Sequence, residues 1–191
     1  MSYLDDAPDQ GPAAELYAAD EARQGYVPNY TRVFAHRPAV YRAWQALNGA
    51  VKAAMDPVRY EVATVAAAAE LGSSYCSLAH GEVLARELGE EEAVRVATGQ
   101  ASAAEHGAVA DLARKVVKDP ASVTAADLGG LRTLGFSDGE ILDVVLAAAA
   151  RSFFSSVLEA VGAEPDPVYA GLPAELRTVL TVGRPIQAAD G

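Results

Sequence analysis

Nearly every long segment of this chain is built from residues that favour a helix and is bounded by residues that start or stop one. Alanine and leucine dominate, as in VATVAAAAELG and VVLAAAARSFF, and alternating β-branched runs that would make strands are scarce. The pattern predicts an all-α fold. Segments 12–24 and 38–55 read as two early helices joined by GYVPNYTRVFAHR, whose aromatic residues anchor the connection to the core. Asp56-Pro57 reads as an N-cap followed by proline at the first helical position, opening a helix that ends at Gly72. The next helix starts within residues 73–76 and runs to Leu88-Gly89. Ser102-x-x-Glu105, Thr124-x-x-Asp127 and Ser137-x-x-Glu140 resemble capping boxes and predict three further starts, the last opening the longest helix, residues 137–161. Residues 1–165 are expected to form one helical domain. Residues 166–191 are expected to form a tail that is helical in part, through PAELRTVL, and frayed at GRPIQAADG. EVATVAAAAELGSSYC and EILDVVLAAAARSFFSS are faintly alike, which common helix composition mostly explains.

Charge and cysteine content exclude several classes of function. The 191 residues carry a net charge of -11, which repels phosphate backbones and anionic lipid surfaces, so neither nucleic acid nor membrane is an expected partner. A single cysteine closes no internal disulfide, and MSYLDDAPDQ lacks the basic and apolar regions of a signal peptide; a cytoplasmic, soluble protein is expected. The apolar runs at 62–69 and 144–150 are interrupted by Glu70 and Arg151, short of the ~20 residues of a membrane span.

The lone cysteine lies in GSSYCSLAHGE, four residues before one of three histidines. A tight turn at Gly72 would fold the helices on either side into an antiparallel hairpin. At about 1.5 Å per residue, Cys76 then lies roughly 6 Å below the turn, His80 about 12 Å and Glu61, on the other helix, about 16 Å. Cys76 and His80 are i and i+4 on one face, so the imidazole can take the thiol proton. Glu61 can reach His80 directly or through one water, fixing its tautomer. Cys76 also falls in the first helical turn, where unpaired N–H groups favour a thiolate. An inert buried thiol remains the alternative reading, since free cysteine is often buried without chemistry.

The stretch RYEVATVAAAAELGSSYCSLAHGEVL resembles the signature of the alkylhydroperoxidase D-like (carboxymuconolactone decarboxylase) superfamily: a glutamate, a spacer, then Cys-x-x-Cys-x-x-x-His. Glu61, Cys76 and His80 fall on its glutamate, second cysteine and histidine, while Ser73 stands at the first cysteine. YTRVFAHRPAVYRAWQAL and LRTLGFSDGEILDVVLAAAARSFFSSVLEAVG are similar to the flanking helices of its peroxidase-related branch, so the likeness spans roughly residues 25–165. The resemblance implies an AhpD-like helical domain around a central hairpin. It implies that Cys76 attacks a peroxide, that Glu61 and His80 relay protons, and that the chain forms a homo-oligomer. With Ser73 in place of the resolving cysteine, an external thiol must recycle Cys76.

Other readings stay beside these. Ser73 is an N-cap or a pocket residue, and Tyr75 lines the pocket mouth or packs in the core. His36 is expected to be structural and His106 solvent-exposed. Arg151, Ser155 and Ser156 face a pocket, solvent or a neighbouring subunit. No cofactor is expected, and Cys76, His80 and Glu61 do not complete a closed zinc set. Three functions follow: a single-cysteine peroxidase acting on a hydroperoxide; a lyase in which Glu61 and His80 move protons on a small carboxylated lactone; or a helical oligomer without chemistry.

Overall fold

The helix opening at Asp56-Pro57 is apolar on every side, so protein must surround it. In the computed structural model, which describes residues 2–189, this helix is indeed central. In order, the chain forms α1 (Gly11–Gln24), α2 (Asn29–Phe34), α3 (Pro38–Ala54), α4 (Pro57–Glu70), α5 (Ser74–Leu88), α6 (Glu90–Ala97), α7 (Ala104–Lys118), α8 (Ala125–Thr133), α9 (Asp138–Ala160) and α10 (Ala174–Leu180), with no strand among the described residues. Residues 60–68 of α4 are all buried, and α5, α7 and α9 pack around them. The fold is all-α. Small residues make this close packing possible: Ala63, Ala66, Ala67 and Ala68 of α4 meet Ala110 and Ala113 of α7 and Ala147 and Ala148 of α9 within one core.

Local chemistry sets the helix ends. Asp56 accepts a hydrogen bond from the Arg59 backbone N–H at 3.0 Å, with proline following it in the first turn. Thr124 with Asp127 and Ser137 with Glu140 form complete capping boxes. Ser102-x-x-Glu105 does not. The helix starts at Ala104, and both box residues are engaged elsewhere: the Ser102 N–H donates to Glu92 Oε1 at 2.8 Å, while Glu105 accepts from Arg59 at 2.5 Å. An ion pair to a neighbouring helix has outcompeted the local cap. By length and composition α9 could cross a membrane, yet half of the relevant stretch is buried inside the protein as a core helix.

The segment after residue 165 is integrated into the domain rather than trailing from it. PAELRTVL forms α10, whose Leu176 and Leu180 are buried in the main core. The segment expected to fray is also held: the Gly183 N–H donates to Ser74 Oγ at 2.8 Å, the Gln187 N–H to the Pro165 carbonyl at 2.9 Å, and Arg184 to the Tyr3 hydroxyl at 2.9 Å. Residues 190 and 191 of GRPIQAADG lie outside the described residues.

Gly81 lets α10 dock on α5. A Cβ at this position would come within 2.3 Å of Leu180 Cδ1, and Leu180 is fully buried. Gly81→Ala is therefore expected to expel Leu180 from its site and lower stability by about 1–3 kcal/mol, measured by urea unfolding.

Candidate active site

The turn at residues 71–73 returns the chain so that α5 lies alongside α4, and Gly72 takes the left-handed conformation (φ 66°) that the turn requires. Glu61 near the start of α4 meets His80 in the middle of α5: Nδ1 lies 2.6 Å from Glu61 Oε2. This is the direct contact that the spacing allowed. The other oxygen, Oε1, accepts from Lys52 Nζ of α3 at 3.2 Å. Burial opposes the charge of Glu61, yet the bond to His80, its charge and then Lys52 hold the carboxyl below its ordinary value. Burial, reinforced by the charge of Arg151, pushes His80 down to about 4 against the opposing pull of Glu61. At neutral pH the pair is thus an ionised glutamate and a neutral imidazole. Nδ1 donates to Glu61, leaving the lone pair of Nε2 free in the pocket.

Cys76 is 1% exposed in the first turn of α5. No hydrogen bond joins it to His80. Its polar neighbour is Arg151 of α9, whose Nη1 lies 3.5 Å from Sγ, while Nη2 lies 3.4 Å from the Tyr60 hydroxyl. The Tyr60 hydroxyl in turn donates to Asn48 Oδ1 at 2.9 Å. Arg151 is 2% exposed, its Nε has no partner, and no carboxylate among the described residues forms an ion pair with it. Burial works against its charge, but Cys76 and then Tyr60 outweigh this and raise its pKa. A buried guanidinium without a carboxylate is costly unless other groups compensate it, and those in contact are the Cys76 sulfur, the Tyr60 hydroxyl and the Phe154 ring, whose centroid is 5.7 Å away.

Cys76, His80 and Arg151 share a pocket of about 620 Å³. Its walls are largely aromatic, from Tyr30, Tyr41, Trp44, Phe154, Tyr75 and Tyr169, and Arg23, Gln24 and Glu82 add polar groups to the lining. The rings brace one another: Trp44 stacks on Phe154 with centroids 4.2 Å apart, and Phe34 stacks behind on both Tyr41 and Phe154 at 5.1 Å. Tyr75 takes both roles suggested for it, lining the pocket while its buried hydroxyl donates to Asp166.

Ser73 does not line the pocket. It occupies the N-cap position of α5, but its hydroxyl does not cap the helix and is buried near Glu159. Ser155 is buried with its hydroxyl unpartnered, whereas Ser156 is exposed. His36 Nε2 is 2.8 Å from the Asp5 carbonyl, a structural contact. His106 is half-buried rather than exposed, with Nδ1 shielded from solvent, because α7 packs its first turn near the Arg59 ion pairs. No cluster of three or more metal-ligating side chains occurs among the described residues.

The sequence analysis did not identify Lys52, Tyr60 and Asn48. Their signal was faint: Tyr60 immediately precedes Glu61, and Asn48 and Lys52 are four apart on one face of α3. Arg151 was singled out only as a break in an apolar helix.

No family model and no curated protein matches this chain. Solved structures do. An uncharacterised peroxidase-related protein with an alkylhydroperoxidase AhpD core, from Ralstonia eutropha JMP134, superimposes with a TM-score of 0.76 at 26% identity, covering 96% of this chain and 98% of that one. A peroxidase-related protein from Silicibacter sp. TM1040 gives 0.75 at 22% identity, over 88% and 91%. The debrominase Bmp8, as a variant in complex with 2,3,4-tribromopyrrole, gives 0.67 at 14% identity, over 87% and 88%.

The His80 environment predicts acid sensitivity. With a folded value of about 4 against an ordinary 6.5, the unfolded chain binds a proton that the folded chain refuses. Stability is then complete above pH 6.5 and lost as pH falls from there toward about 4. The depressed Glu61 value acts in the same direction, with its contribution lost at lower pH. Urea unfolding at stepped pH is expected to show this loss, on the order of 2–3 kcal/mol, and His80→Gln is expected to flatten the limb between pH 6.5 and 4.

Proposed function

We propose that this chain, whose fold is similar to that of an alkylhydroperoxidase AhpD core, is a thiol-dependent peroxidase of that superfamily, working through Cys76 alone and recycled by an external thiol. The observation that carries this reading is Arg151, a buried guanidinium whose contacts are the Cys76 sulfur and a tyrosine hydroxyl. As Arg151 supplies the charge that a thiolate needs, His80 need not be a strong base.

In the proposed reaction the thiol proton passes to His80 Nε2 through the bound peroxide or a pocket water. The Cys76 thiolate attacks the terminal oxygen of the hydroperoxide, an S–O bond forms and the O–O bond breaks. Its electron pair leaves on the alkoxide, which takes the proton back from His80. Sulfur is oxidised by two electrons to a sulfenic acid, and the peroxide is reduced to an alcohol. Two equivalents of an external thiol then return Cys76 to the thiol, giving a disulfide and water. The low pKa of His80 suits it to the second half of this relay, because its imidazolium gives up a proton readily. Glu61 holds the ring and its tautomer throughout.

A lyase reading is favoured by one observation: His80 is bonded directly to Glu61 and not to Cys76. Under it, the carboxylate–imidazole pair moves protons on a small carboxylated lactone and sulfur is a bystander. The same family reading takes the chain as a homo-oligomer. Exposed Leu142, Leu146 and Phe153 on α9 and Leu47 on α3 support self-association. A monomer as the only species in sedimentation at micromolar concentration would remove that part.

Dimedone trapping read by intact mass separates the chemical readings. The peroxidase predicts a Cys76 adduct after peroxide treatment at neutral pH. Arg151→Met is expected to slow its formation by about 10–100-fold, with Arg151→Lys partly restoring it. Cys76 left unmodified, together with a Cys76→Ser variant that retains lactone turnover and a His80→Ala variant that loses it, would establish the lyase instead.

A further inference from the structure

The pocket is built for something much larger than hydrogen peroxide. A volume of about 620 Å³ lies within the ~300–1,000 Å³ of sites that enclose whole organic ligands. Cys76, His80 and Arg151, the reactive groups, are three of its lining side chains, while much of the remaining lining is aromatic. Those rings form one rigid assembly. Tyr41 and Trp44 are nearly coplanar in orientation, 6° apart at 6.2 Å, and Trp44 lies within 27° of Phe154 at 4.2 Å. Tyr30 meets Phe154 edge-on at 5.8 Å.

Resting on the thiol-peroxidase reading, we propose that the substrate is an organic hydroperoxide with a planar aromatic body, which lies among Tyr30, Tyr41, Trp44 and Phe154 with its peroxide end directed to Cys76 and Arg151. Flat, mutually braced ring faces and edges complement another flat ring, and aromatic pairs gain affinity beyond the area they bury. A small aliphatic body would leave most of the volume filled with water against apolar walls and would forfeit those contacts. The reactive end of the ligand is set by Cys76, His80 and Arg151. There the guanidinium of Arg151, already beside sulfur at 3.5 Å, faces the oxygen on which negative charge develops as the O–O bond breaks. The aromatic body thus sets which alcohol leaves, while the sulfur step is unchanged from that described above.

Trp44 is the only tryptophan of the chain and lines the pocket, so its emission reports occupancy independently of turnover. The test is a titration of Cys76→Ser protein with 2-phenylpropan-2-ol, the alcohol that an aryl hydroperoxide would leave, and with tert-butanol. Half-saturation of the Trp44 signal is expected at a concentration at least tenfold lower for the aryl alcohol. In wild-type protein, Cys76 sulfenate is expected to form at least tenfold faster with cumene hydroperoxide than with tert-butyl hydroperoxide or hydrogen peroxide. Trp44→Leu, at a half-buried position, is expected to erase most of that rate ratio. Ratios below twofold in either readout overturn the proposal, as does a rate ratio that survives Trp44→Leu. Absence of sulfenate with every peroxide would remove the peroxidase reading instead, and the binding ratio would still decide whether the pocket selects an aromatic body.

Discussion

A single buried carboxylate near the start of the central helix governs this structure. Glu61 is 2% exposed at the head of a run, Val62 to Ala68, in which Val62, Ala63, Val65, Ala66, Ala67 and Ala68 are all fully buried. An unpaired carboxylate there would cost several kcal/mol, so its partners are obligatory. One is His80, which sets α5 against α4 at a register that no neighbouring pair of residues could replace. The other is Lys52, which brings the C-terminal turn of α3 over the same spot. The placement of α3 then determines where Trp44, Gln45 and Asn48 stand, and with them one wall of the pocket. A charge that apolar packing alone would have excluded thus ties three helices together.

The site divides its electrostatic tasks between two systems that meet at the Tyr60 ring, which lies under Lys52 and edge-on to His80. Glu61 and Lys52 hold His80 in place, but His80 itself stays uncharged at neutral pH. Arg151 lies beside the sulfur and reaches Tyr60 with its other nitrogen, while Asn48 orients Tyr60. The systems are coupled through space, since after burial the Arg151 charge is the largest cause that depresses His80, with Lys52 adding to it. Strengthening the cation at the sulfur therefore weakens the imidazole as a base and strengthens it as an acid. Such a trade suits a reaction whose first half needs a thiolate and whose second half needs a proton donor.

How much of this was legible in the sequence depended on how far apart the interacting residues lie. Helix caps at Asp56, Thr124 and Ser137 could be read because their partners are three residues away. The Glu61–His80 pair could be read because it spans one tight turn and needs only helix geometry. Arg151 was only half legible. The sequence shows a charge in an apolar helix, but which way α9 rolls onto α4 and α5 is fixed by side-chain packing across 75 residues of chain. Lys52 and Asn48 lie on another helix, whose approach depends on the same packing. Ser102 illustrates the converse error, where a local signal was genuine in pattern yet lost to an ion pair between Arg59 and Glu105 that no local window contains. The C-terminal segment was underestimated for a related reason: Leu180 fills a site prepared by the absence of a side chain at Gly81, a pairing that no local pattern contains.

The strap that closes over the turn between α4 and α5 also bears on the order in which the molecule is completed. Gly183 reaches Ser74 across 109 residues, and Arg184 reaches Tyr3 across 181. Such contacts have the largest loop-closure cost in the chain and form after the local helix pairs. On a ribosome they must wait until Arg184 has emerged, long after α4 and α5. Until then Ser74, at the start of α5, lacks the N–H that Gly183 donates to it. The nascent chain thus passes through a stage in which the helix that carries Cys76 has its partner α4 but not the strap that later crosses its N-terminal turn.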